Sequence, residues 1–90
     1  MVYLPKYYKL YKKLKKEKII VFKDAQGCYN YQREYNLENT YYANPSAYGS
    51  YSIFKGSRCV LSSLLFHPLI EDLVNNCNKE IIENYGNSNN

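Results

Sequence analysis

The residue type whose spacing best suits a binding chemistry is lysine, near the start of the chain. Lys6, Lys9, Lys13 and Lys16 follow one another at intervals of three or four residues. In a helix this spacing aligns their ammonium groups along one side, where they can neutralise phosphates and release counterions. The pattern therefore predicts a stripe that contacts nucleic acid, a nucleoprotein or an acidic protein surface. The solvated face of an ordinary amphipathic helix explains the same four lysines.

Tyrosine is the second residue type of interest, with 12 in 90 residues and no tryptophan. It combines a large amphipathic contact area with a low entropy cost, and it offers a π-face on which unpaired bases can stack. Tyr41, Tyr42 and Tyr48 fall in a segment rich in Asn, Ser, Pro and Gly. We expect them in an exposed loop that contacts a partner. AT-rich codon usage explains the abundance of tyrosine equally well, without any functional role.

Residue types suited to catalysis or metal binding are few. His67 is the only histidine, and its position before Pro68 suits a cap or packing role better than that of a general base. Cys59 with His67 is the one pair that can be drawn as a nucleophile and its base, and nothing near them in sequence supports it. Cys28, Cys59 and Cys77 have no CxxC spacing and form no recognised zinc pattern. We therefore expect no catalytic residue, no metal and no cofactor, and hence a protein that is not an enzyme.

The odd number of cysteines also bears on the compartment in which the chain works. A secreted domain of this size usually carries an even disulfide framework, so the three cysteines are expected to be free, reduced thiols. Lysines stand where a signal peptide has its apolar region, and the longest apolar runs are far shorter than a membrane span. These features predict a cytoplasmic protein, in a bacterium or a host cell, with no membrane contact.

The net charge of +4 is unevenly distributed along the chain. Eight lysines against Glu17 give residues 1–23 a net charge of +7. Residues 24–61 are balanced, and residues 62–90 carry a net charge of −3. A basic start and an acidic end make the molecule dipolar, and the basic end should speed encounters with anionic partners.

Two segments have the period of an amphipathic helix. The first is expected over residues 5–16, beginning at a proline, which suits the first helical position. The second is expected over residues 69–85, and residues 62–66 are either a separate helical turn or part of the same helix, bent at Pro68. The second helix has Glu71 and Asp72 in its first turn, where the helix dipole favours negative charge, and Gly86 as its terminator.

The middle of the chain has the β-branched runs and the period of two that are typical of strands. Four strands are expected, near residues 19–23, 28–36, 50–55 and 58–61. In the second of them, Tyr29, Tyr31 and Tyr35 alternate with polar residues and should form one strand face. Residues 38–50 are expected to form a loop.

This order of elements predicts a small α+β domain. An antiparallel sheet of three to four strands would be flanked by an N-terminal and a C-terminal helix, both packed on one face. Residues 1–86 would form this single domain, and residues 87–90 a flexible polar tail. Eight residues are expected in its core: Leu10, Leu14, Val21, Ile53, Leu65, Leu73, Cys77 and Ile81.

These observations favour a small, non-enzymatic binding protein. It would dock on a larger protein or nucleoprotein complex through its tyrosines and its basic helix, as a monomer or homodimer. Its size and composition are typical of inhibitors or regulators carried by phages and mobile elements. The alternative is direct nucleic-acid binding by the lysine stripe. The expected contact residues are Lys6, Lys9, Lys13, Lys16, Tyr41, Tyr42 and Tyr48.

Overall fold

The structure, a computed structural model, describes residues 4–45 and 50–86 of the chain. Within these ranges the side chains of Leu4, Lys6 and His67 are outside the description. Eight elements follow one another there: α1 (Leu4–Lys16), β1 (Ile19–Phe22), α2 (Ala25–Glu34), β2 (Tyr41–Pro45), β3 (Tyr51–Lys55), β4 (Arg58–Leu61), α3 (Ser63–Asn76) and β5 (Lys79–Ile82).

The five strands form one mixed sheet in the order β4-β3-β2-β1-β5. The pairs β2–β3 and β3–β4 are antiparallel, whereas β1 is parallel to both of its neighbours, β2 and β5. The expected class, a small α+β domain, is confirmed. The antiparallel sheet of three to four strands is wrong, because the sheet has five strands and β1 pairs in parallel with β2 and β5. Parallel neighbours need a crossover rather than a tight turn, and α2 is the crossover between β1 and β2.

Strand β1 separates two layers of apolar side chains, and all four of its residues are buried. Ile19 and Val21 pack on the face covered by α1 and α3, while Ile20 and Phe22 pack on the face covered by α2. Successive strand residues point to opposite faces, and a strand covered on both sides has no solvent-facing position. The expectation that the first and last helices share one face is confirmed, and α2 adds a layer on the other.

Helix α1 spans almost the predicted range, and its burial follows the helical period. Tyr7, Leu10 and Leu14 are buried against the sheet and α3. Their spacing of i, i+3 and i+7 places them on one face. The Tyr7 hydroxyl donates a hydrogen bond of 2.8 Å to the Asp72 carboxylate on α3. The helix is therefore fixed to the domain along its whole inward side.

Helix α2 stands where the second strand was expected, so that prediction is wrong. The Asp24 side chain accepts a hydrogen bond from the backbone N–H of the second helical residue and so caps the helix. The spacing of the residues that pack on the sheet is that of a helix. Cys28 and Tyr31 are three residues apart, and both contact the same apolar cluster. Tyr29 and Tyr35 are exposed instead.

Strand β2 lies within the expected loop over residues 38–50, so the loop prediction is wrong for residues 41–45. Tyr41 and Tyr42 are only 8% and 3% exposed, on opposite faces of the sheet. The Tyr42 ring lies between the rings of Phe22 and Phe54, with centroid distances of 6.0 and 5.5 Å. Pairing with β1 and β3 on both sides makes this segment a central strand despite its Asn and Pro content. Tyr48 lies outside the described residues.

The predicted helix over residues 69–85 is wrong at its C-terminal end, and before Pro68 the structure has the bent form of the two alternatives. Helix α3 begins earlier, where the Ser62 side chain accepts a hydrogen bond from Leu64 N, and it ends at the Cys77 cap. It is kinked at Phe66, two residues before Pro68, which has no N–H to donate to the preceding turn. Residues 79–82 then form β5 beside β1. The loss of helix there follows from pairing with a strand about sixty residues earlier.

Most of the expected core is buried, and two members are not. The confirmed core residues are Leu10, Leu14, Val21, Ile53, Leu73 and Cys77. Leu65 and Ile81 are exposed, so their assignment to the core is wrong. Leu65 lies in the first turn of α3, before the kink, and Ile81 belongs to an edge strand that pairs on one side with β1.

Two leucines of α3 provide a matched test of this packing. Leu73 is 0% exposed and Leu65 is 77% exposed. We expect Leu73→Ala to lower the free energy of unfolding by about 2–5 kcal/mol, because it removes buried methyl groups and leaves a cavity. Leu65→Ala should change it by about 0.5 kcal/mol or less. Urea denaturation followed by circular dichroism measures both, and equal losses would show that α3 is packed on a different face.

Candidate functional site

The outward side of α1 is a basic surface, which we call the lysine face. It consists of five exposed side chains: Lys9, Lys12, Lys13, Lys15 and Lys16. At 3.6 residues per turn they cover an arc of about 160°, opposite the buried side. Lys12 and Lys15 add to the stripe expected from the sequence. Lys6 also lies in α1, but its side chain is outside the described part of the structure.

One acid, Glu17, lies beside the lysine face, and none of its five lysines forms an ion pair within the described residues. In residues 4–45 and 50–86, one ion pair is formed, between Lys18 Nζ and Glu80 at 3.1 Å, beyond the end of α1. Lys13, Lys15 and Lys16 stand in the last turn of α1, where positive charge stabilises the helix dipole. That local role does not extend to Lys9, which lies near the middle of the helix. The face therefore presents positive charge beyond what helix stability requires.

One aromatic side chain lies exposed within the lysine face. Tyr8 precedes Lys12 by four residues and Lys15 by seven, so the three share one side of α1. Tyr8 is 60% exposed, and within the described ranges no ring contact or hydrogen bond of its phenol is found. Tyr11 differs, because its ring stacks on the Tyr7 ring with a centroid distance of 6.0 Å. In addition, Lys15 Nζ lies 5.2 Å from the centre of the Tyr11 ring.

Tyr8 is not among the contact residues expected from the sequence, because it stands at the edge of the apolar arc of α1, where a tyrosine can be either buried or exposed. Its position at the edge of that apolar arc, with Lys12 and Lys15 on the same side, is the signal that separates it from Tyr7. The helical period alone puts Tyr8 about 100° away from Tyr7 around the helix. Tyr8 is thus an exposed tyrosine on α1, whereas Tyr41 and Tyr42, which were expected to be exposed, are buried.

Tyr41 and Tyr42 have structural contacts that leave them little surface for a partner. The Tyr42 hydroxyl donates a hydrogen bond to the Gly56 carbonyl and accepts one of 2.9 Å from Gln32 Nε2. Lys55 Nζ lies 5.1 Å from the centre of the Tyr41 ring. These contacts join β2 to α2, to β3 and to the turn after β3. Of the expected contact residues, the structure therefore brings Lys9, Lys13 and Lys16 together and places these two tyrosines in the core.

A second group of tyrosines lies on the opposite side of the sheet, around α2. The Tyr31 ring contacts the rings of Tyr35 and Tyr85, with centroid distances of 4.5 and 5.1 Å. The Tyr85 hydroxyl donates a hydrogen bond to the Glu34 carboxylate, which raises the pKa of Tyr85. Asn30 Nδ2 donates to the Tyr85 carbonyl at 3.2 Å. These contacts fasten the segment after β5 to α2.

The cysteines do not resemble activated nucleophiles. Burial raises the pKa of Cys28 to about 11, and it also raises the pKa of Cys59 and Cys77. A catalytic thiol needs the opposite shift, because the thiolate is the nucleophile. The side chain of His67, its hypothetical base, is outside the described residues.

Two further features of the described residues bear on function. Across 4–45 and 50–86, no three His, Cys, Asp or Glu side chains are grouped so that they can hold a metal ion. None of the helices in those ranges is both long and apolar enough to cross a membrane.

The thiols differ in access, which gives a second test. Cys59 is exposed, whereas Cys28 and Cys77 are buried. At neutral pH we expect iodoacetamide to label Cys59 first, and slowly, because its raised pKa leaves little thiolate. Cys28 and Cys77 should react after unfolding in urea. Peptide mass spectrometry measures the order, Cys59→Ser is the control that removes native labelling, and native labelling of Cys28 as fast as Cys59 would contradict the packing of α2.

The comparisons with known proteins identify no relative. No protein-family model, no curated protein and no solved structure matches the chain. A small α+β fold by itself does not specify a function. The function of the chain is therefore inferred from the residues of the candidate site, above all from the lysine face.

Proposed function

We propose that this protein is a non-enzymatic binding protein that contacts nucleic acid, free or within a nucleoprotein complex, through the lysine face. The observation that carries the proposal is the exposure of five lysines on one side of α1, without an ion pair in the described part of the chain. Lysines that neutralise phosphates release the counterions condensed on them, and this release drives binding. An inhibitor or regulator of a nucleoprotein complex would use the same face.

Helix α1 is firmly attached to the rest of the domain, which supports its role as a binding element. Leu10 and Leu14 are buried, and the Tyr7–Asp72 hydrogen bond joins α1 to α3. The lysines therefore project from a fixed helix rather than from a loose terminus. From Lys9 to Lys16 the helix rises about 10 Å, a length over which a B-form duplex presents about six phosphate charges. The face has the size of a small nucleic-acid contact.

Direct binding to nucleic acid is favoured over docking on a protein because two of the three expected protein anchors are buried. Protein interfaces take most of their energy from desolvated aromatic and Arg side chains, and lysine is depleted at their centres. Tyr41 and Tyr42 were expected to supply those anchors, and they lie in the core. An acidic protein surface remains the second candidate partner, since the same lysines attract it.

A salt titration with two charge-reversal variants tests this proposal. Fluorescence anisotropy with a labelled single-stranded oligonucleotide should show that the logarithm of the binding constant falls linearly with the logarithm of the salt concentration, with a slope of about −2 to −3.5 for three to five lysine contacts. Lys9→Glu with Lys13→Glu should weaken binding by more than about tenfold at low salt. Thermal melting should be nearly unchanged, because both side chains face solvent.

The matched control is Lys23→Glu with Arg58→Glu. It changes the net charge by the same amount, at exposed positions outside α1, and we expect it to weaken binding only slightly. If the control weakens binding as much as the α1 variant, overall charge rather than the lysine face is responsible. If no oligonucleotide binds at low salt, the proposal is wrong, and an acidic protein becomes the better candidate partner.

A further inference from the structure

We infer that the nucleic acid bound by the lysine face is single-stranded and that one of its bases stacks on Tyr8. This inference rests on the proposed function and adds to it the strand state of the ligand. The observation that supports it is the exposure of the Tyr8 ring within the lysine face. The required ligand is an unpaired base flanked by phosphates, in DNA or RNA.

The position of Tyr8 has no structural explanation within the described residues. Its neighbours Tyr7 and Tyr11 stack on each other, and Tyr7 also bonds to Asp72. Tyr8 has no such partner there and gains little burial. An exposed aromatic ring amid lysine side chains is the combination found in proteins that bind single strands, where basic groups follow the backbone and aromatic rings stack on bases.

Tyr29 is also an exposed tyrosine, but its surroundings differ from those of Tyr8. It is 56% exposed, close to the 60% of Tyr8, but it lies on α2, on the other side of the sheet. Its ring already has the Arg33 guanidinium 5.7 Å from its centre. Exposure alone therefore does not distinguish Tyr8 from Tyr29. What distinguishes Tyr8 is that its ring has no contact partner within the described residues and that lysines lie on the same side of its helix.

The strand state follows from what the ring can reach. In a duplex the bases are stacked inside the helix, so an exposed phenol meets sugar and phosphate and gains no stacking. In a single strand the base can turn toward the ring while Lys12 and Lys15, on the same side of α1, contact the adjoining phosphates. Stacking accepts any base, so we expect little preference for sequence.

The first experiment compares tyrosine variants by anisotropy with a single-stranded oligonucleotide and the matched duplex. Tyr8→Ala should weaken single-strand binding about tenfold and leave the salt slope unchanged, because no charge is lost. Tyr8→Phe should bind within about twofold of the parent, since the ring is kept. Tyr29→Ala is the matched control and should bind like the parent. All four proteins should melt alike, because both tyrosines are exposed.

A second measurement reports the stacking itself. The chain has no tryptophan, so Tyr8→Trp places a single tryptophan in the lysine face, whose emission can be excited apart from that of the tyrosines. We expect its emission to be quenched by a single-stranded oligonucleotide and not by an abasic strand of equal phosphate number. Tyr29→Trp should show no quenching with either strand.

The outcomes separate this inference from the function on which it rests. If the duplex binds as tightly as the single strand, and Tyr8→Ala behaves like Tyr29→Ala, the inference is overturned while the lysine face stays a nucleic-acid site. If neither strand binds at low salt, the proposed function fails and the inference fails with it. A selective loss of single-strand binding in Tyr8→Ala, together with quenching in Tyr8→Trp, supports both.

Discussion

The burial of β1 on both faces is the constraint on which the other elements depend. Its four residues supply the two core layers, Ile19 and Val21 on one side and Ile20 and Phe22 on the other. The strand pairs in parallel with β2 and with β5. Parallel pairs cannot be closed by a tight turn, so each needs a crossover. Helix α2 is the crossover between β1 and β2, and α3 carries the chain from β4 at one edge of the sheet to β5 at the other edge, beside β1. The two helices cover opposite faces, so β1 is shielded from water on both.

This constraint explains which elements were predictable from the sequence. The helix α1 and the strands β1, β3 and β4 lie within one residue of their expected bounds at nearly every end, because their signals are local: a lysine-tyrosine helical period and short β-branched or hairpin patterns. The elements α2, β2 and β5 were assigned wrongly because distant contacts determine them. Residues 79–82 extend a helical apolar pattern, yet they pair with β1, which no local feature of the sequence indicates.

The candidate site was predictable to the same extent. The lysine face follows from helical spacing, so its position on α1 could be derived without coordinates. Tyr41 and Tyr42 were misplaced because Asn, Ser and Pro nearby indicate a loop, whereas pairing on both sides makes their segment a central strand. Tyr8 was missed because a tyrosine at the edge of an apolar arc is compatible with either core or surface. Burial of an amphipathic side chain is decided by the neighbours that the fold supplies.

Three of the tyrosines form hydrogen bonds between elements that phenylalanine could not form. Tyr7 joins α1 to α3 through Asp72, Tyr42 joins β2 to the turn at Gly56, and Tyr85 joins the segment after β5 to α2 through Glu34. Each hydroxyl connects elements that are distant in the chain while its ring packs among apolar or aromatic neighbours. Burial and the Asp72 carboxylate raise the pKa of Tyr7 to about 12, so it remains a proton donor at neutral pH. Within the described residues Tyr8 has no such connection, and for this reason we infer that its exposed ring serves in binding.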